Sequence, residues 1–193
     1  MAPRKKSKAH MIYQLKITLK DLQPPIWRRV QVESNVTLEH LHWVIQISMG
    51  WTNSHLHSFT IQEIEYGVPM PEFDFDGVPV HNEKTVILSK IIPSEKFKFS
   101  YLYDFGDSWE HEVFIETLLE ADPEIDYPVC IQGKRACPPE DCGGVWGYQN
   151  FLQVIQDSNH PEHEEMLEWV GGFYDPEDAE LDEVNYGLKM IPK

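Results

Sequence analysis

Polar and apolar residues alternate from the first regular stretch of the chain. Tyr13, Leu15, Ile17 and Leu19 interleave with Gln14, Lys16, Thr18 and Lys20. Side chains alternate across a strand, so this pattern predicts a half-buried β-strand. Asp21 to Pro25 interrupts it, and Ile26 to Val32 reads as a second strand paired to the first as a hairpin. Arg28 and Arg29 are unusual in such a strand, and one of them is expected to lay its stem on the sheet while its head stays in water. The period then changes. Leu38, Leu41, Ile45 and Ser48, flanked by Val44 and Met49, form a helical stripe with Thr37 as its N-cap and Gly50 as its stop. His40 stands where a capping box would place an acid, so the box is absent.

The most distinctive stretch is Tyr101 to His111. Phe97, Phe99, Tyr101 and Tyr103 fall on one side of a period-two pattern, as do Trp109, His111, Val113 and Ile115. The pattern predicts an aromatic hairpin whose tip, Asp104 to Ser108, reverses through Gly106 with the flanking aspartates bonding turn amides. Upstream, His55, His57, Phe59 and Ile61 read as one face of a further strand. Residues 66 to 82 read as a loop, and Val86 to Ile92 as a short helical turn. Glu120 to Gly144 reads as irregular, and three helical stripes follow: Tyr148, Phe151, Leu152 and Ile155; His163, Met166, Leu167 and Val170; and Leu181, Val184 and Leu188.

Strands and helices thus segregate. The expectation is an α+β fold with a mixed or antiparallel sheet: a β-hairpin, a crossing helix and further strands in a β-grasp-like arrangement, followed by a C-terminal helical region. Residues 1–10 read as a flexible basic arm. Residues 11–193 read as one domain, with sheet and helix over 11–118 and an acidic loop and helices over 119–193.

Charge narrows the function classes. The chain of 193 residues carries a formal net charge of -16. From Asp104 to Glu183 there are 22 acidic residues against Lys134 and Arg135 alone. Such a surface repels phosphate backbones, which argues against direct nucleic-acid binding and suits a basic protein partner or cations. A solvated acidic surface kept for solubility is the plainer reading of the same charge. Three cysteines cannot form a complete disulfide framework, and no apolar run reaches the length of a membrane span, so a reducing cytoplasm is expected.

Several stretches together resemble one family. They are Pro25-Ile26-Trp27-Arg28-Arg29, Leu41-His42 with Ile45-Gln46 and Met49-Gly50-Trp51, His55-Leu56-His57-Ser58-Phe59, Tyr103-Asp104-Phe105-Gly106-Asp107 with Trp109 and His111, and Cys137-Pro138-Pro139-Glu140-Asp141-Cys142-Gly143-Gly144. The chain is similar, from about Tyr13 to Leu188, to the plasmid Ri ORF-three-like family. The resemblance implies no particular activity. Some relatives carry the label of transposon resolvase. The sequence gives that label no support, because the first strand has no serine to act as a nucleophile among arginines.

The residues in these motifs are rich in metal-ligand types. His55 and His57, two apart on an expected strand, would point the same way, and His111 with Asp104 or Asp107 would complete a shell for zinc, manganese or iron. His42, Cys137, Glu140, Asp141 and Cys142 are secondary candidates. The cysteines have gaps of six and four, unlike common zinc knuckles, and can equally be packing residues. The same histidines can equally be core-edge residues whose hydrogen bonds pin the hairpin turn. Three readings follow: a binding or adaptor module with an acidic surface, a metal-dependent hydrolase using a His/Asp site, and an accessory protein of mobile elements. The absence of a complete catalytic set favours the first.

Overall fold

The computed structural model describes residues 11–70 and 79–192. The expected basic arm over residues 1–10, and much of the loop expected between 66 and 82, fall outside them.

The alternating stretches become strands. β1 (Met11–Leu19) and β2 (Trp27–Glu33) pair antiparallel, with Ile12 opposite Glu33 and Thr18 opposite Trp27. The helical stripe becomes α1 (Leu38–Met49), where the Thr37 hydroxyl accepts from the His40 amide and Gly50 closes the C-terminus. β3 (His57–Ile61) and β4 (Ile64–Gly67) form a tight hairpin, and β5 (His81–Asn82) adds parallel to β4. A 3-10 turn at Glu83–Thr85 leads to the short α2 (Leu88–Ile91). The aromatic hairpin is β6 (Lys98–Tyr103) and β7 (Trp109–Glu120), with Tyr101 opposite His111. β8 (Val129–Lys134) and the helices α3 (Gly144–Gln156), α4 (His163–Trp169) and α5 (Leu181–Leu188) complete the chain.

The fold is α+β. Eight strands form one mixed sheet in the order β5-β4-β3-β6-β7-β1-β2-β8. Its inner face carries Leu15, Ile17, Val30, Phe59, Tyr101, Tyr103, Trp109, Val113 and Ile115, all fully or nearly fully buried. Leu38, Leu41, Val44, Ile45 and Met49 of α1 belong to the same core, as do Tyr148, Phe151, Val184 and Leu188 from the C-terminal helices. The opposite face is charged. Arg29 makes a bidentate pair with Glu116 at 2.6 and 2.7 Å and lies over the Trp27 ring, while Lys98 pairs with Glu112. Among the described residues no helix is long and apolar enough to cross a membrane.

Two expectations need correction. The region expected to be irregular contains β8, an edge strand paired to β2. Its signal is masked by Pro128 before it and Gly133 within it, residues that ordinarily argue against a strand. Arg29 covers the sheet as expected of one arginine, and Arg28 is buried. Last, the left-handed positions of the hairpin turn are Asp104 (φ 55°) and Ser108 (φ 56°), not Gly106. Aspartate tolerates that conformation because its side chain bonds locally. Asp104 Oδ1 accepts from the amides of Gly106 at 2.9 Å and Asp107 at 3.3 Å.

Candidate metal centre

The strand that should have carried both histidines begins at His57, so His55 lies in the loop before it. The two imidazoles therefore do not share a strand face. Each finds a different setting.

His55 meets the tip of the β6–β7 hairpin. Its Nε2 lies 3.0 Å from Asp141 Oδ1 and 3.6 Å from Asp104 Oδ2. The Asp141 distance is that of an ion pair, yet this buried nitrogen is left without a hydrogen-bond partner. The three donor atoms lie within 4.8 Å of one another. Asp104 can serve here because its carboxylate is split in role: Oδ1 holds the turn while Oδ2 faces His55.

The loop that delivers Asp141 is fastened on both sides. Glu140 accepts from the Thr52 amide at 3.1 Å and, through shorter contacts, from the Thr52 and Tyr103 hydroxyls. Burial pulls the Glu140 carboxyl up, but these hydrogen bonds together outweigh it and hold it below the ordinary carboxylate range. Tyr103 is raised above its ordinary value by burial and then by Glu140. Its hydroxyl also accepts from the amides of Ser54 and His55, which fixes the loop carrying the imidazole. Beyond Asp141, Asp107 Oδ2 accepts from the Gly143 amide at 3.1 Å. Asp107 thus ties the hairpin tip to the start of α3.

The other candidates lie elsewhere. His57 Nε2 is 2.8 Å from Glu83 Oε2, a pair almost wholly buried. The His57 ring stacks on His42, with centroids 3.5 Å apart and planes within 8°. His42 Nδ1 is 2.8 Å from the Tyr101 hydroxyl and Nε2 is 3.0 Å from Asn53 Oδ1. Gln46 Nε2 donates to the same Tyr101 hydroxyl at 3.0 Å. That hydroxyl then donates to Nδ1, which places the His42 proton on Nε2. Burial first, then the neighbouring His57, lowers His42 to about 3, so its ring is neutral. His111 is fully buried; its Nδ1 lies 3.3 Å from the Tyr101 carbonyl and its Nε2 has no partner. Burial, opposed by bonds to the Tyr101 and Trp109 backbone, lowers it to about 4. Glu83 was the member of this network that sequence reasoning missed. An acid directly after a strand of two residues carries no signal of burial.

The cysteines stay out of the cluster. Burial pushes the Cys137 thiol up to about 11, and its Sγ lies 3.1 Å from the Met49 sulfur. Cys142 is pushed up to about 12 by burial and then by Asp107. Neither thiol is among the donor atoms that converge on His55.

Comparison with known proteins agrees with this architecture. The profile of the family described as plasmid pRiA4b ORF-3-like protein matches residues 11–183. An uncharacterized protein of Sinorhizobium fredii is 40% identical over 175 residues, covering 90% of this chain and 89% of its own. The crystal structure of a protein of unknown function from Methanosarcina mazei Go1 superposes with a TM-score of 0.79 at 36% identity, covering 91% of this chain and 98% of that one.

Proposed function

The chain belongs to the plasmid pRiA4b ORF-3-like family, and from the site it carries we propose that it is a binding module organised around a divalent-cation site formed by His55, Asp104 and Asp141. One observation carries this reading: the buried Nε2 of His55 points at two carboxylates and forms a hydrogen bond with neither. An imidazole and two carboxylates suit zinc or manganese. Three protein donors leave positions open for water or for a group on a partner. Binding is favoured over hydrolysis because the nearby carboxylate that could act as a base, Glu140, is already held by three hydrogen bonds and lowered in basicity. His57 and His111, candidates on sequence grounds, take structural roles in this reading.

A basic protein is the partner this surface suits. The acidic C-terminal half exposes Trp146, Phe173 and Tyr186, each more than two-thirds accessible. Large aromatics among carboxylates are suited to arginine and lysine side chains. An association with mobile elements would rest on the family resemblance alone, and the site takes nothing from it.

The test compares melting temperatures with and without added zinc. Saturation near 100 times Kd should raise stability by about 2.7 kcal/mol, or roughly 5–10 °C for a domain of this size. His55→Ala should abolish the shift, whereas His57→Ala should lower the baseline and keep the shift. Equal shifts in wild type and His55→Ala would overturn the assignment.

A further inference from the structure

One end of the sheet gathers acid around the point where β1 begins. In the order β7-β1-β2-β8, the start of β1 lies between the end of β7 and the end of β2. Met11 stands opposite Glu120, Ile12 stands opposite Glu33, and the Ser34 amide donates to the Met11 carbonyl at 2.8 Å. β7 ends at this edge and β8 starts at it, three strand positions away, or about 14 Å at ordinary strand spacing. The connection over 121–128 therefore passes across the ends of β1 and β2. It carries Asp122, Glu124 and Asp126 and no basic residue.

Between that connection and the start of α1 lies a groove of about 620 Å³. Glu33, Glu39 and Asp126 line it together with Trp43, Ile125 and Tyr127, and no Lys or Arg is among the described residues that line it. None of the three acids is buried. Trp43 and Ile125 are each 39% exposed, so the apolar walls are open to a visitor. Glu39 meets Lys84 at 3.1 Å, and Glu33 lies close enough to His40 to oppose the lowering that burial imposes on that imidazole. The groove shares no residue with the His55, Asp104 and Asp141 cluster.

The residues that precede Met11 supply the complement. Arg4, Lys5, Lys6 and Lys8 stand there, with no acid among residues 1–10. An extended chain reaches about 10 Å from Met11 to Lys8 and about 24 Å to Arg4. The cations are thus tethered within reach of a groove whose edge, at Glu33 to Val36, adjoins Met11. We propose that this basic stretch, residues 4–8 of the chain itself, seats in the groove. Trp43 offers its face to one cation, and the carboxylates receive the others. Tethering raises the local concentration to the millimolar range, so a contact too weak to persist between separate molecules is populated within one. A basic segment of another protein gains this groove only by displacing the chain's own, which sets the affinity that such a partner must exceed.

Indole N–H resonances of the isotope-labelled full chain test the proposal. At salt on the order of 20 mM, the Trp43 resonance should differ between wild type and the full-length variant Arg4→Gln/Lys5→Gln/Lys6→Gln/Lys8→Gln. Trp146, 82% exposed on α3, should not move. Near 1 M salt, where the screening length falls to about 3 Å, the wild-type Trp43 resonance should move to the position it has in the neutral variant. Glu33→Gln should shrink the low-salt difference roughly twofold or more. A synthetic peptide of residues 1–10, added to the neutral variant at millimolar concentration, should restore the wild-type position. Equal Trp43 positions at low salt, an equal change at Trp146, or a peptide that restores nothing would each overturn the proposal. A Trp43 difference that grows with protein concentration would overturn it as well, because the basic stretch would then seat in a second copy.

Discussion

Asp104 does two jobs with two oxygens. Oδ1 holds the amides of the hairpin turn, and Oδ2 faces His55. Asp104→Asn separates them, since an amide oxygen still accepts from the turn while the ligand charge is gone. Without metal, its stability in chemical denaturation should lie within about 1 kcal/mol of wild type; with zinc, the stabilisation should vanish. A retained zinc effect would show that Asp104 is not a ligand. The buried histidines set the response to acid. His42 and His111 are lowered to about 3 and about 4, so the unfolded chain, near 6.5 at each, binds protons that the folded chain refuses. Each therefore contributes stability that is present above about pH 6.5 and lost as pH falls towards its folded value, at about 1.4 kcal/mol per pH unit. Unfolding free energies measured between pH 6.5 and 4.5 should therefore drop with the two slopes added, about 2.8 kcal/mol per pH unit, and His42→Gln should halve that drop. An unchanged slope in the variant would assign the acid loss to other groups. At this scale the sequence named most of the participants but not their grouping. Nothing in the spacing of His55 and His57 shows that the strand begins between them, or that Glu83 lies in wait for His57.

Elements were legible where one face is buried and the other is wet. β1, β6 and β7 follow their alternation, and α1, α3 and α5 follow their stripes. β8 was hidden because an edge strand needs little hydrophobicity and because its glycine answers a tertiary demand, the passage of Arg28. The site depends on a second close approach. Gly147 in the first turns of α3 sits beneath the Cys142 carbonyl, and a Cβ there would fall 1.8 Å from that oxygen. Gly147→Ala must therefore push back the loop that carries Asp141. The expected cost is about 1–3 kcal/mol or more in denaturant unfolding, with weakened zinc binding. A neutral variant would mean that the loop shifts freely and does not hold Asp141 in place.

Across the whole molecule, the eight-stranded sheet buries one face under α1 and the C-terminal helices and leaves the other to charge pairs. The α+β class was readable from the order of periods. The full width of the sheet was not, because the strand order depends on pairings between segments far apart in sequence, such as β1 with β7. The same long-range pairing brings the loop before β3, the β6–β7 tip and the loop before α3 to one end, where His55, Asp104 and Asp141 converge. If that convergence exists to hold a cation, the protein should carry one. Elemental analysis of the chain, purified without a metal-affinity tag and without chelator, measures this directly. Close to one zinc or manganese per chain is expected, lost together with the thermal shift in His55→Ala. Well under one metal per chain, with no uptake of added zinc or manganese, would contradict it.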